Sequence, residues 1–220
     1  MNKRAITIAY NDDRNSAWMF ERCRPSVERY AALVKADLLV KRFNGPIHYL
    51  DKYAMIDQAR RDGYRQALQL DADVFIHTDE DIFDTIGEVK IAAKTAPRMK
   101  ADQLTWFAGY REPWTYNAGV ILACPRLLSA FLLFANEHRE QVIHGDESIL
   151  VPYLKFSGTP VTPMPRRFNL WANWTNPSLD GEERGFFHFS GAEKRKRFRW
   201  FQRQYLNTET DDSTSPGEIQ

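Results

Sequence analysis

Asp71 and Asp73, one residue apart in Leu70-Asp71-Ala72-Asp73-Val74, are the residues best placed to do chemistry. Side chains alternate along a strand, so residues i and i+2 point the same way. A turn at the strand end would let both carboxylates approach one divalent ion. Burying the pair between Leu70 and Val74-Phe75-Ile76 is costly unless something neutralises it. Hard cations such as Mg²⁺ or Mn²⁺ prefer oxygen ligands, and Mg²⁺-type sites combine one or two carboxylates with substrate phosphates. The competing reading is a pair of solvated aspartates in a loop. A second acidic cluster, His77-Thr78-Asp79-Glu80-Asp81, fits a solvated loop or a helix cap better than a metal site. His144-Gly145-Asp146 lacks the spacing of a zinc helix, and the chain has no Walker loop, no G-x-S-x-G elbow and no Cys-His zinc pattern.

Strands and helices must position these groups. Ala5-Ile6-Thr7-Ile8-Ala9 is short and rich in β-branched residues, which suits a buried strand, and Tyr10-Asn11-Asp12-Asp13 reads as the loop after it. Helical spacing runs from Ser16 to Lys35, with Pro25 as an interruption or a fresh start. Asp37–Val40 reads as a second strand and Asn44-Gly45-Pro46 as a turn. A helical pattern covers Tyr53–Leu68, with Gly63 as a splitting point, and leads into Asp71–Ile76 as one core strand. Tyr116–Leu122 and Phe186–Phe189 complete the strands; Arg126–Arg139 and Glu147–Phe156 are the later helices. This alternation predicts an α/β fold with a mostly parallel central sheet flanked by helices. The expected organisation is one domain over residues 1–205 and a polar, disordered tail over 206–220.

Composition limits the function classes. The 220 residues carry 30 basic and 29 acidic side chains, net +1, which excludes a globally basic nucleic-acid binder. Aromatic residues make up 13%, too many for a disordered chain. No apolar run approaches the ~20 residues of a membrane span. Two cysteines, Cys23 and Cys124, and no visible secretory signal predict a cytoplasmic protein, or one peripheral to the inner membrane face.

Four patches, in order, resemble glycosyltransferase family 8, within the nucleotide-sugar-dependent glycosyltransferases of the GT-A fold. They are Ile6-Thr7-Ile8-Ala9-Tyr10-Asn11, Leu70-Asp71-Ala72-Asp73-Val74, Tyr116-Asn117-Ala118-Gly119-Val120 and His188-Phe189-Ser190-Gly191-Ala192-Glu193-Lys194. Gly145-Asp146-Glu147-Ser148 falls where that family has an Asp-Gln pair. The resemblance covers residues 5 to 196 and implies a Rossmann-like GT-A domain. It implies Asp71, Asp73 and His188 as ligands of Mn²⁺ or Mg²⁺ bridging the donor diphosphate. Lys194 would pair with phosphate and Gly191 let the backbone come close. Ala9, Tyr10 and Asn11 would contact the base, while Asn117 and Asp146 would face the sugar and the reacting carbon. The implied reaction moves a hexose from a nucleoside-diphosphate sugar, a UDP-sugar, to a hydroxyl acceptor with retention. Departures from the family are Lys194-Arg195-Lys196 in place of Lys-Pro-Trp, Asp146-Glu147 in place of Asp-Gln, and a shorter chain without a long acceptor segment. They bear on donor and acceptor identity.

Each residue also has a plainer reading. His188 between two phenylalanines suits a core-edge histidine, Asn117 a strand-end turn former, Asp146 a helix N-cap and Tyr10 simple packing. The alternatives by class are a nucleotidyltransferase, a sugar-nucleotide hydrolase, or a nucleotide-sugar-binding module without turnover. Acceptor choice is expected in Lys94–Thr115 and Arg166–Gly185, where Trp171 and Trp174 near Asn173 could stack on a sugar or fill core. The basic, aromatic stretch Lys194–Tyr205 has three readings. Phe198, Phe201 and Tyr205 could pack on the body, or the stretch could touch an anionic membrane or nucleic acid. A lipid-linked glycan or a modified nucleic acid would then be the acceptor.

Overall fold

The structure is a computed structural model, described for residues 3–45, 48–95, 104–107, 110–113, 116–141, 145–171, 184–191 and 193–206. Its strands are β1 (Arg4–Asn11), β2 (Asp37–Phe43), β3 (Gln66–Leu70), β4 (Val74–His77), β5 (Ile91–Thr95), β6 (Leu104–Phe107), β7 (Tyr110–Pro113), β8 (Tyr116–Ala123), β9 (Thr162–Pro163), β10 (Leu170–Trp171) and β11 (Gly185–His188). Its α-helices are α1 (Arg14–Leu33), α2 (Ala54–Arg61), α3 (Ile82–Ile86), α4 (Pro125–Glu137), α5 (Glu147–Phe156) and α6 (Lys194–Phe201).

The central sheet has the order β2-β1-β3-β8-β5-β9. Only β8 runs against its neighbours, so the sheet is mostly parallel. Strand alternation divides the core into two layers. Ile6, Ile8, Leu68, Leu70, Val120 and Leu122 face α1 and its Tyr30. Ala67, Ile121 and Ala123 share a second core cluster with Tyr53, Ile56, Phe131 and Ile149. With both faces covered, β1 and β3 read as nearly continuous buried runs.

Three local expectations are corrected. The helix expected through Leu68 stops at Arg61: Gly63 takes φ +77°, Tyr64 N–H reaches Ala59 O at 3.1 Å, and Gln66–Leu70 is a central strand. A fully buried strand lacks polar alternation and imitates the end of a buried helix. Asp71–Ile76 is not one strand. β3 ends at Leu70, Val74 N–H closes a turn on Asp71 O at 3.2 Å, and β4 joins a second sheet of order β10-β11-β4. The two aspartates therefore occupy the turn between two sheets, which explains why they interrupt an apolar run. Pro25 neither ends nor starts a helix, since α1 runs through it.

The acidic cluster after β4 is a cap and ion-pair segment. Asp81 accepts from the N–H groups of Phe83 and Asp84 at the start of α3, Asp79 pairs with Arg29, and Glu80 with Arg167. The terminal α6 packs Phe198 and Phe201 against Phe187, Phe189 and Met19, with Tyr205 at the edge. That is the packing reading of the basic stretch. Residues 207–220, Asn173 and Trp174 lie outside the described residues, as does His144.

Candidate functional site

The turn after β3 is held from two sides. Asp71 N–H donates to Gly119 O at 2.9 Å, extending the β3–β8 ladder by one bond. Phe189 N–H donates to Asp73 O at 3.0 Å, so the end of β11 closes on the same turn. His188 pairs with Val74 in the β4–β11 register and reaches the aspartates from a distant part of the chain. Its Nε2 lies 3.4 Å from Asp71 Oδ2 and 3.3 Å from Asp73 Oδ1. One ligand atom from each of the three residues falls within 4.8 Å of the others.

His188 is 3% exposed and Asp73 7%. Despite this burial, Asp73 Oδ1 and both ring nitrogens of His188 have no hydrogen-bond partner among the described residues. Buried polar atoms are rarely left unpartnered. An unpartnered Asp73 oxygen and imidazole nitrogen, converging with an Asp71 carboxylate oxygen, form a donor set that fits a divalent cation. Burial works against a charged His188, but the Asp71 and Asp73 carboxylates outweigh it and hold the imidazole up to about 9.

Two lysines neutralise the acidic pair. Lys194 Nζ sits 3.0 Å from Asp73 Oδ2. Lys52 Nζ sits 3.0 Å from Asp71 Oδ1, 3.0 Å from Asp146 Oδ2 and 3.0 Å from Ala118 O. Burial would raise the Asp71 carboxyl, yet Lys52 first and then His188 hold it well below its ordinary range. Asp146 is pushed the other way, up to about 7, by burial and by the neighbouring Glu147 and Asp71, with Lys52 and the Tyr53 hydroxyl opposing. The Tyr53 hydroxyl donates to Asp146 Oδ2.

These groups border a cleft of about 280 Å³ beyond the carboxyl ends of β1 and β3, the edge at which open α/β sheets bind ligands. Seven of the residues singled out from the sequence line it: Ala9, Tyr10, Asn11, Asp71, Asp73, Asp146 and Lys194. His188 stands behind the two aspartates. Tyr10 is only 8% exposed and stacks on Phe20 at 4.2 Å, so packing and lining coincide in one ring. Asp146 occupies the N-cap position of α5 but makes no side-chain cap bond there; its carboxylate faces Lys52 instead.

Asn117 and Gly191 are not in the cleft lining. Asn117 Oδ1 accepts from Gly119 N–H at 3.1 Å and from Asn169 Nδ2 at 2.8 Å. Gly191 takes φ +92° in the turn before α6, where Arg197 donates to Ser190 O.

The sequence reading missed Lys52, Tyr53 and Gly119. Lys52 and Tyr53 lie in a short 3-10 turn, Tyr49–Tyr53, whose His48 and Asp51 capping box marks only where the turn starts. Gly119 did have a signal, because glycine inside an apolar strand marks a close approach. A Cβ on Gly119 would lie 2.1 Å from His188 Cε1. Lys52→Met would leave Asp71 and Asp146 without their shared cation. Breaking a buried pair this way is expected to lower unfolding free energy by about 3 kcal/mol, read from urea unfolding at neutral pH.

The fold is the one seen in solved glycosyltransferase structures. No protein-family profile and no curated protein matches the sequence. Solved structures do match. A glycosyltransferase involved in glycosylation of the major capsid of PBCV-1 superposes with a TM-score of 0.65 at 16% identity, over 90% of this chain and 99% of that one. GlyE of Streptococcus pneumoniae TIGR4, also a glycosyltransferase, gives 0.56 at 17% identity, over 92% of this chain and 60% of that one. A mutant of Drosophila β1,4-galactosyltransferase 7, in complex with manganese, UDP-Gal and xylobiose, gives 0.52 at 11% identity, over 100% and 82%. At these identities the likeness is one of fold.

Proposed function

We propose that this chain is a metal-dependent glycosyltransferase. It moves a hexose from a nucleoside-diphosphate sugar, a UDP-sugar, to a hydroxyl acceptor, with the retention implied by its resemblance to glycosyltransferase family 8. The observation that carries the reading is the convergence of Asp71, Asp73 and His188, with buried unpartnered donor atoms, beside a cleft into which Lys194 projects. The shared fold with glycosyltransferases supports it, as does the galactosyltransferase complex with manganese and UDP-Gal.

Asp71, Asp73 and His188 hold Mn²⁺ or Mg²⁺ in this reading. The cation supplies Lewis-acid stabilisation of charge on the leaving diphosphate. Lys194 adds a second, fixed positive charge toward the same phosphates. Lys52 keeps Asp71 ionised and so available as a ligand. Tyr10, Asn11 and Ala9 contact the base from the end of β1. Asp146 faces the sugar from the cleft wall, and Asn117 supports the strand behind it through Gly119 and Asn169. The anomeric carbon exchanges its bond to a diphosphate oxygen for one to the acceptor oxygen, and the hydroxyl proton passes to the leaving diphosphate.

Thermal unfolding with UDP, GDP, CDP or ADP, each with and without Mn²⁺, tests this. Ligand at a hundred times its Kd stabilises the native state by about 2.7 kcal/mol. The expected result is a rise in Tm for UDP and Mn²⁺ together, exceeding either alone. No shift with any pair would remove the donor site. With a sugar donor, release of nucleoside diphosphate agrees with transfer or hydrolysis, and release of pyrophosphate would instead mark a nucleotidyltransferase.

A further inference from the structure

The terminal helix turns different residues to different surroundings. Phe198 and Phe201 point inward, 1% and 0% exposed, Arg197 is buried beside Ser190 O, and Lys194 enters the cleft. Arg195 and Arg199, one helical turn apart, both reach Trp18 of α1. Arg22 of α1 reaches the same ring. The three guanidinium carbons lie 3.9 Å (Arg22), 5.2 Å (Arg195) and 5.7 Å (Arg199) from the indole centroid. Like charges so close are unfavourable on their own. Burial first, and then the Arg199 charge, lowers the Arg22 guanidinium below its ordinary value. Arg203 is exposed one turn further on, and Trp200 is 37% exposed.

We propose that this face, built from Trp18, Arg22, Arg195, Arg199, Arg203 and Trp200, binds the anionic phospholipid surface of a membrane. The chain as a whole is only +1, so the attraction is local to this face. Guanidiniums held in place by an indole are preorganised for headgroup phosphates. Trp200, exposed on the same helix, suits the membrane–water interface. Single-stranded nucleic acid fits less well at Trp18, because base stacking needs an open aromatic face. Arg22 already lies against the Trp18 ring. Lys194 and Arg195 are consecutive, one in the cleft and one on this face, so docking brings the cleft mouth close to the headgroups. The inference does not depend on the chemistry assigned to the cleft.

Vesicle co-sedimentation of the full chain tests it, with phosphatidylcholine alone and with about 30% phosphatidylglycerol added, at low salt and at about 0.5 M salt, where charges are screened within a few ångströms. Binding is expected only to the anionic vesicles at low salt. Arg22→Ala/Arg199→Ala/Arg203→Ala is expected to weaken it by roughly a hundredfold, about fivefold for each basic residue near an anionic surface. Thermal unfolding checks that the variant is folded. Arg199→Glu, a single exposed change, is the second variant and is expected to weaken binding by roughly 25-fold on the same scale. Equal binding to both vesicle types overturns the proposal. So does undiminished binding by the folded variants, or tighter binding to single-stranded or duplex DNA than to anionic vesicles.

Discussion

Asp73→Ala is expected to remove the joint effect of UDP and Mn²⁺ on Tm and to lower the transfer rate by about a thousandfold or more. A bound cation contributes several kcal/mol of charge stabilisation in the transition state, and each ~1.4 kcal/mol is tenfold in rate. Asp73 supplies an unpartnered buried oxygen facing His188, and its other oxygen holds Lys194. The substitution therefore removes a ligand and frees the phosphate-facing lysine in one change. Against burial, His188 and Lys194 hold Asp73 ionised, with Asp71 opposing, so the substitution also takes a partner from Lys194 and His188 and lowers stability in the metal-free state. Urea unfolding without metal and nucleotide-dependent Tm shifts separate the two effects. A folded Asp73→Ala protein with unchanged Mn²⁺-dependent activity would sink the assignment of this turn as the metal site.

The second large effect comes from a residue with no chemistry of its own. A Cβ on Gly119 would lie 2.1 Å from His188 Cε1 and 2.3 Å from its Nδ1, closer than atoms tolerate. The strand cannot yield easily, because Gly119 O also accepts the Asp71 N–H bond. In Gly119→Ala the imidazole must therefore leave its place beside Asp71 and Asp73. Overpacking of this kind costs about 1–3 kcal/mol of stability. Metal-dependent activity is expected to fall by about a hundredfold, the loss a ~1 Å misplacement produces. A double-mutant cycle with His188→Ala identifies the cause. Without the ring the added methyl has room, so the stability penalty of Gly119→Ala should largely vanish in that background. An undiminished penalty would mean that backbone strain, and not the imidazole, is what excludes a side chain.

The residues themselves determined a good part of this protein. A β-branched run marked β1, an apolar run β8 and helical spacing α1, and the alternation of strands with helices predicted the α/β sheet now seen. Asp71-Ala72-Asp73 was conspicuous because two carboxylates in an apolar run demand a neutralising partner. Tertiary structure decided what such local patterns do not contain. The buried strand β3 looked like helix, because burial on both faces erases the alternation that identifies a strand. Asp71–Ile76 looked like one strand, because a change of sheet leaves no mark on hydrophobicity. Lys52 and Tyr53 could not be found at all, since only the packing of a short 3-10 turn against β1 and α4 brings them to Asp71 and Asp146. The distance between His188 and the aspartates, and the empty space that Gly119 keeps for its ring, are set by the pairing of β4 with β11 and of β3 with β8. Which atoms meet across more than a hundred residues of chain depends on packing between layers, and that is a property of the assembled sheets.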